Sequence, residues 1–590
     1  MPATPPDRWL DLDTLLAELL AQQRISPACA RPWPQAANEP THPLERIARR
    51  GLNDLQRPGH TLDLDALGEW LGRQAGQRHV RIDPLALQAA SLGGLMSAAF
   101  ARRHQILAIA VDAHTVTVAS AQPYVRSWER DLGQVLQRRV QRVLASPVQI
   151  RELSQAVFRL AHSVSGASQQ AVPGPEGASL EALLDLGNSA GDVDANETHI
   201  VGIVDWLLQY AFEQRASDIH IEPRRELGIV RFRIDGVLHQ VYQIPMSVMA
   251  AMVSRIKILG RMDLVEKRRP QDGRIKTRTA DGLEAELRLS TLPTAFGEKL
   301  VMRIFDPEVL VRNFTDLGFS VEDESRWKAM SGSPNGIILV TGPTGSGKTT
   351  TLYSTLKQLA TPAVNVCTIE DPIEMVEPAF NQMQVQKAID LDFAEGVRAL
   401  MRQDPDIIMV GEIRDLETAE VTIQAALTGH LVLSTLHTND APAAVTRMLD
   451  LGMPSYLISA TVLGVMAQRL VRVLCPTCKK SAPATAEDEA MWDRLVAPWK
   501  ANRPSHFHHP VGCLDCRMTG YRGRVGVYEI LMLSPDMKQA ISDNADVAKI
   551  RDLAYREGMK PLRISGAMKV AAGVTTLAEV FKVAPPSERA

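Results

Sequence analysis

The residues with the clearest chemistry lie at 342–349, where GPTGSGKT matches the phosphate-binding pattern G-x-x-x-x-G-K-[ST]. An apolar run precedes this segment and a helical pattern, TTLYSTLKQLA, follows it. Glycines allow a tight loop whose N–H groups face phosphate oxygens at a helix N-terminus. The predicted nucleotide-binding residues are Gly342, Pro343, Thr344, Gly345, Ser346, Gly347, Lys348, Thr349 and Thr350.

Within this segment, three side chains have distinct predicted contacts. Lys348 supplies a positive charge to the β- and γ-phosphates, and Thr349 offers its hydroxyl to Mg²⁺. Thr350 is expected to face the α-phosphate. The pattern does not distinguish ATP from GTP.

Acidic and imidazole side chains follow three other apolar runs. Glu412 ends DIIMVGE, and as the first carboxylate after a strand it is the candidate for orienting the attacking water. Gly411 stands where many P-loop enzymes have a metal-binding acid, so Mg²⁺ must depend on Thr349, water and a more distant carboxylate. The segments TIEDPIE (368–374) and TGHLVLSTLH (428–437) also end apolar runs, and we expect them at the same sheet edge.

Four of the six cysteines form two CxxC pairs separated by 34 residues, which is typical of a closed structural zinc site. The predicted zinc ligands are Cys475, Cys478, Cys513 and Cys516. A redox role and alternative ligation by His506, His508 or His509 remain open. We expect the other two, Cys29 and Cys367, to be small buried hydrophobic residues.

The elements that position these residues follow from the apolar pattern. From residue 335 onward, short apolar runs alternate with helical segments, which predicts a parallel sheet with helices on both faces. We expect an N-terminal docking domain at 1–160, a small α/β fold apart from an uncertain first 60 residues, and a linker at 161–197. An α+β domain at 198–310 and a motor domain at 311–590, with the four-cysteine element at 470–530, complete the predicted α/β multidomain fold.

Composition and charge limit the partners. A hydrophobic share of 45% and a charged share of 23% are ordinary for globular proteins, and a net charge of −3 gives no sign of a nucleic-acid partner. The first 20 residues contain five charged side chains, which argues against a signal peptide. The most apolar stretch, residues 87–101, is shorter than the roughly 20 residues needed to span a bilayer. These features predict a cytosolic protein.

Four segments in this order, GPTGSGKTT, TIEDPIE, RQDPDIIMVGEIRD and TGHLVLSTLHTNDA, resemble the Walker A, Asp box, Walker B and His box of the assembly ATPases of type II secretion and type IV pili. The resemblance covers about residues 197–583, and 64–156 loosely. It implies a RecA-like motor domain preceded by a PAS-like domain, and a hexameric ring that uses ATP, Mg²⁺ and Zn²⁺.

The resemblance also implies residue roles. Glu412 is similar to the catalytic acid and His437 to a γ-phosphate sensor, while Glu370, Asp371 and Glu374 belong to the Asp box. Arginines before the motor act on nucleotide in a neighbouring subunit, which implies that role for Arg233 with Arg274 and Arg288 as companions. The i, i+4 spacing of Arg398 and Arg402 predicts one helix face leading into the Walker B strand, near the active site.

The function implied is a cytoplasmic ATPase, peripheral to the inner membrane, that adds pilin-like subunits through a membrane platform. Its N-terminal domain would dock on the cytoplasmic domain of a membrane protein. Type II secretion is favoured, with type IV pilus extension as the alternative. A DNA-uptake or nucleic-acid motor and a nucleotide-gated scaffold without turnover are the competing classes, and we expect no nucleic-acid partner.

Overall fold

The protein is described by a computed structural model at residues 7–30, 42–57, 61–83, 87, 92, 95–155, 157–158, 198–278, 284–305, 313–499, 501–513, 515–543 and 545–585. Contacts divide the chain into two compact units, residues 1–304 and 305–590. The predicted linker at 161–197 and the predicted domain boundary at 310 lie outside the described residues. The domain boundaries therefore stay predictions.

The first unit begins with helices α1 (Leu12–Ala21), α2 (Pro43–Arg49) and α3 (Leu64–Ala75). They share an apolar cluster of leucines with Ile25, Ile47 and Trp70. A salt bridge between Arg24 and Asp54, whose side chains are 4% and 1% exposed, joins the segments that flank α2. The described part of the first 60 residues, for which the sequence predicted no fold, is therefore largely helical.

A three-stranded sheet of order β1-β2-β3 follows in the same unit. Its strands are β1 (Ile106–Val111), β2 (Thr115–Ser120) and β3 (Arg139–Leu144), with α4 (Ala98–His104) before them and α5 (Ser127–Leu136) between β2 and β3. Strands β1 and β2 are antiparallel, whereas β2 and β3 are parallel because a helix connects them. This arrangement confirms a small α/β fold in the N-terminal region.

The remainder of the first unit is a six-stranded sheet of order β6-β5-β4-β9-β8-β7. The strands are β4 (Asp218–Pro223), β5 (Leu227–Ile234), β6 (Val237–Pro245), β7 (Gln271–Arg278), β8 (Glu284–Thr294) and β9 (Gly297–Phe305). Helices α6 (Thr198–Glu213) and α7 (Met246–Leu259) pack with its apolar residues. Positive φ angles at Asp235 and Gly236 form the tight turn between β5 and β6 that the Asp-Gly pair favours.

The second unit is built on a seven-stranded sheet of order β12-β11-β13-β14-β10-β15-β18, in which only the edge strand β18 is antiparallel. The strands are β10 (Gly336–Thr341), β11 (Val366–Glu370), β12 (Asn381–Gln384), β13 (Ile407–Val410), β14 (Leu431–Leu436), β15 (Val462–Leu474) and β18 (Tyr521–Met532). Alternate residues of β10 enter two separate apolar clusters, so that both sheet faces are covered. The predicted parallel-sheet motor fold is confirmed.

Twelve helices of this unit have assigned bounds within the described residues. They are α8 (Phe314–Leu317), α9 (Val321–Ser331), α10 (Lys348–Leu359), α11 (Phe393–Leu400), α12 (Leu416–Leu427), α13 (Ala441–Asp450), α14 (Ser455–Thr461), α15 (Ala486–Val496), α16 (Pro535–Ser542), α17 (Val547–Arg556), α18 (Leu562–Ala571) and α19 (Leu577–Val583). None of the helices in the described ranges combines the length and the apolar character required to cross a membrane.

The segment between the two CxxC pairs forms a small substructure. Strands β16 (Lys480–Pro483) and β17 (His506–His509) pair antiparallel, and α15 lies between them in sequence. Trp492 and Leu495 of α15 are buried in the main apolar cluster of the unit. The long spacing between the cysteine pairs therefore accommodates a helix that packs on the motor core.

The prediction that Arg398 and Arg402 share one helix face is wrong. Helix α11 ends at Leu400, and Arg402 lies in the turn that follows. The Asn365 side chain donates hydrogen bonds to the carbonyl groups of Gln403 and Asp404, both at 2.9 Å. These bonds hold the turn in a non-helical path into β13.

Candidate active site

The phosphate-binding loop lies between β10 and α10, as the motif predicts. Gly342 has a φ of 152°, and a Cβ there would lie 2.6 Å from the carbonyl oxygen of Gln468. Gly347 has a φ of 87° and directly precedes α10. Both glycines are therefore required by the loop's path and its close approach to β15.

The Lys348 ammonium group folds back over this loop. Its Nζ donates to the carbonyl oxygens of Gly342 at 2.8 Å and Pro343 at 3.3 Å. Burial lowers the pKa of Lys348, and the positive charge of Arg469 lowers it further, whereas the negative charge of Glu412 raises it. The carboxylate of Glu412 is thus close enough to influence the P-loop lysine electrostatically.

The loop's donors fit a nucleotide phosphate. Ser346 is 4% exposed, and its hydroxyl has no hydrogen-bond partner in the described part of the chain. The first N–H groups of α10 have no partner within their helix, which makes this end a site for anions. Together with Lys348, these groups form a cradle of donors whose chemistry suits phosphate oxygens. A hydroxyl oxygen such as that of Thr349 is the type of ligand that suits Mg²⁺. Thr349 and Thr350 lie in the first turn of α10.

Glu412 and His437 follow neighbouring strands. Glu412 lies two residues beyond β13 and His437 directly after β14, and β14 also pairs with β10, which leads into the P-loop. The nitrogen Nε2 of His437 is 3.5 Å from a carboxylate oxygen of Glu412. Because parallel strands end at one edge of the sheet, the structure brings these two predicted residues together beside the P-loop.

Arg414 is a site residue that the sequence analysis missed. Its guanidinium group forms an ion pair with Glu412 and lies 3.7 Å from Asp371. Burial alone would raise the pKa of Glu412, but Arg414 and His437 lower it more, so that the net pKa lies below the usual value. The signal was present in GEIRD, where an arginine follows the acid by two residues.

The Asp-box residues separate into two environments. Glu370 ends β11 and is 3% exposed. It accepts hydrogen bonds from Tyr353 (2.5 Å), Thr368 (2.6 Å) and Gln382 (3.2 Å). Asp371 is exposed and Glu374 half-buried in the loop that follows. The structure therefore groups Asp371 with Arg414 and Glu412, and places Glu370 in a buried network with α10.

The candidate arginines occupy several places. Arg398 bonds to Glu395 at 2.6 Å and Glu417 at 2.8 Å, and Arg402 is exposed. Arg233, Arg274 and Arg288 belong to the six-stranded sheet of the first unit.

Each of these three arginines is placed by strand pairing. Arg233 pairs across strands with Asp218, and their side chains approach to 3.6 Å. Arg274 lies opposite Arg288, and its guanidinium group is 3.3 Å from Glu286. The structure therefore gives Arg233 and Arg274 carboxylate partners on their own sheet.

The four cysteines form a cluster that could hold a metal ion. The four sulfur atoms all lie within 4.8 Å of one another. The Cys475–Cys513 and Cys478–Cys516 sulfur pairs are 3.7 Å apart, close to the edge of a tetrahedron with Zn–S bonds of about 2.3 Å. None of the three histidines joins this cluster in the described residues.

The two leftover cysteines have different environments. Cys367 is 1% exposed in the apolar core, as predicted. Cys29 is half-buried.

Comparisons with known proteins show the family to which this chain belongs. A family model described as type II/IV secretion system protein matches residues 194–582, two thirds of the chain. The chain belongs to this family. A second model, the MshEN domain, matches residues 75–164. The resemblance inferred from the four sequence segments is confirmed, and so is the expected enzyme class: the protein is an ATPase.

Similar proteins belong to type IV pilus assembly and to type II secretion. This chain is 53% identical to the type IV pilus assembly ATPase TfpB of Acinetobacter baylyi, over 92% of each chain. It is 42% identical to PilB of Myxococcus xanthus, over 81% of this chain and 84% of PilB. It is 43% identical to type II secretion system protein E of Pseudomonas aeruginosa, over 73% of this chain and 83% of that protein.

The two environments of the Asp box lead to a prediction about stability. Replacing Glu370 with Ala removes the acceptor that Tyr353, Thr368 and Gln382 share, although Tyr353 and Gln382 keep the carbonyl oxygen of Met375. We expect it to lower the free energy of unfolding by about 1–3 kcal/mol. Asp371→Ala, at the exposed neighbouring position, should change it by only about 0.5 kcal/mol. Urea unfolding of both variants measures the difference. Equal effects would show that the Glu370 network does not stabilise the fold.

Proposed function

We propose that this ATPase hydrolyses ATP at the sheet edge formed by the P-loop, Glu412 and His437. The observation that carries the proposal is the contact of Glu412 with both His437 and Arg414 in the segments that follow β13 and β14. An ionised carboxylate next to a phosphate cradle can orient water and accept its proton. The lowered pKa of Glu412 favours that ionised form at neutral pH.

The other residues of the site have proposed roles in binding. Lys348 and the backbone N–H groups of 342–350, all except that of the proline, would hold the phosphates. Thr349 would hold Mg²⁺, which supplies positive charge for the transferred phosphoryl group. His437 would sense the γ-phosphate next to Glu412. Asp371 and Glu374 lie in the neighbouring loop and would complete the metal and water environment.

Completion of the site by a neighbouring subunit is a further part of the proposal. Arg233, with Arg274 and Arg288 as companions, would reach nucleotide bound by the next subunit of a hexameric ring. Arg398 and Arg402 would act near the same nucleotide. To contact a phosphate, a guanidinium group must be free of its carboxylate partner. Arg233 and Arg274 would therefore exchange their carboxylate partners for phosphate when the ring assembles.

The biological task proposed is assembly of pilin-like subunits at an inner-membrane platform from the cytoplasmic side, with the N-terminal region docking on a membrane partner. Type IV pilus extension is supported by 53% identity to TfpB over 92% of both chains, including the N-terminal region. Type II secretion, which the sequence analysis favoured, is the second candidate because protein E of Pseudomonas aeruginosa is 43% identical. Deleting the gene should abolish surface pili in the first case and export of secreted enzymes in the second.

The roles of Lys348 and Glu412 predict two different defects. Lys348→Ala should lose ATP binding, because the cradle loses its positive charge. Glu412→Gln should bind ATP with near-normal affinity but lose turnover at least 100-fold, in the range expected for a general base (about 10²–10⁴). Equilibrium binding and steady-state hydrolysis separate the two. Near-normal turnover by Glu412→Gln would refute its assignment.

The cysteine cluster predicts one structural zinc per chain. Replacing Cys475 and Cys513 together should remove the metal and destabilise the element around residues 470–530, because four thiolates bind zinc without an open position. Metal analysis by mass spectrometry and limited proteolysis provide the measurements. A zinc-free protein that is fully folded and active would contradict this proposal.

The proposed action of Arg233 across subunits predicts complementation. Arg233→Ala keeps its own P-loop, and Lys348→Ala keeps its own Arg233, so mixed rings should recover part of the activity that each variant lacks. Loss of an arginine finger costs roughly 10³–10⁵ in rate elsewhere. Hydrolysis should also rise more than linearly with protein concentration. Inactive mixtures despite demonstrated mixed rings would show that Arg233 does not act in a neighbouring site.

A further inference from the structure

The segment that carries His437 is held at its start by β10. Residues 437–440, called the histidine loop below, connect β14 to α13. The N–H group of Thr438 donates to the hydroxyl of Thr341 at 2.8 Å, and the two hydroxyl groups are 2.7 Å apart. Since Thr341 is the last residue before the P-loop, the histidine loop and the phosphate site are attached to the same strand end.

The middle of the histidine loop is held by β15. Arg469, which is 8% exposed, donates to the carbonyl oxygen of Asn439 at 2.7 Å. Its other terminal nitrogen bonds to the carbonyl oxygen of Gln468 at 3.0 Å. This contact fixes one carbonyl group of the loop. At the start of α13, the carboxylate of Asp440 accepts the N–H of Ala443 at 2.8 Å, and the N–H of Ala441 is left for another residue.

That residue is Glu529 on β18, which is 3% exposed. One carboxylate oxygen accepts the N–H of Ala441 at 2.8 Å, and the other accepts the N–H of Leu562 at 3.3 Å. These are the first residues of α13 and α18, so neither N–H has a partner within its helix. A single buried carboxyl group thus caps two helices, one of which continues directly from the histidine loop.

The charges around Glu529 leave it without a direct counter-ion. In the ranges described, no basic side chain lies within 4.0 Å of its carboxylate. The titratable or charged groups that influence it, or are influenced by it, are Asp440, Arg469, Arg551 and Tyr555. Of these, Arg551 is engaged with Asp440 at 2.8 Å. Burial raises the pKa of Glu529 to about 7 in spite of the two N–H donors.

We propose that Glu529 is a positioning residue for ATP hydrolysis, whose ionised carboxylate fixes the start of α13 and thereby holds His437 beside Glu412. The inference rests on the proposed role of His437. An ionised carboxylate offers both oxygens to the two N–H groups, whereas a protonated carboxyl group or an amide turns one of these positions into a donor. Neutralising Glu529 therefore weakens the shared attachment of α13 and α18 to this carboxyl group.

The conservative variant Glu529→Gln tests this in the full-length protein. With one acceptor lost, kcat should fall roughly tenfold while ATP affinity stays within about twofold. In the unmodified protein, kcat should rise with pH around a midpoint near 7, as Glu529 loses its proton, and this step should be absent from Glu529→Gln. Glu529→Asp retains an ionisable carboxylate and should retain the step.

A buried carboxylate elsewhere in the unit provides the matched control. Glu579 is 5% exposed and bonds to Arg472 at 2.7 Å. Its pKa is lowered to about 2, because hydrogen bonds and charges from Arg472 and Lys582 outweigh its burial. Glu579→Gln should therefore leave the step in kcat near pH 7 in place, even if it reduces stability.

A double-mutant cycle separates positioning from general destabilisation. If Glu529 acts through His437, Glu529→Gln should have little further effect on kcat in a His437→Ala background. Independent, multiplicative losses would overturn the inference, and so would unchanged kcat in the single variant. Should Glu529→Gln not fold, absence of the pH step from the unmodified protein and from Glu529→Asp would overturn it. If His437→Ala keeps full activity, the proposed role of His437 fails as well.

Discussion

The parallel pairing of β10 with β14, and of β14 with β13, is the constraint on which the site depends. In a parallel sheet the strands end at one edge, so the loops after them meet there although they are distant in sequence. The P-loop, the histidine loop and Glu412 follow these three strands. Apolar residues that fill both faces of the sheet are therefore as necessary for the chemistry as the polar residues at its edge.

At this edge of the sheet, the charges around Glu412 determine its protonation state. Glu412 is partly buried, which by itself favours the protonated carboxyl group, and Arg414 and His437 reverse that preference. The negative charge of the same carboxylate raises the pKa of Lys348. The acid proposed to handle water thus stabilises the charged form of the lysine proposed to hold phosphate.

The features predicted well from the sequence were those encoded locally. Glycine spacing determines the P-loop, and apolar runs identify the strands whose ends carry Glu412 and His437. The two CxxC pairs were also recognised from their spacing, and the structure brings their sulfur atoms together. Contacts between elements distant in sequence could not be predicted, because the hydrogen bond of Glu370 with Tyr353 and the approach of Arg414 to Asp371 depend on how those elements pack. Likewise, the end of α11 at Leu400 depends on hydrogen bonds from Asn365, far away in sequence.

The most direct measurement of the central claim, that Arg414 helps keep Glu412 ionised for hydrolysis, is the ratio of kcat for Arg414→Met to kcat for the unmodified protein between pH 5 and pH 8. Without Arg414, burial should raise the pKa of Glu412, so that the carboxylate of the variant is protonated at a higher pH. We expect the ratio to fall steadily as pH decreases from 7 to 5. A ratio that stays constant across this range would contradict it.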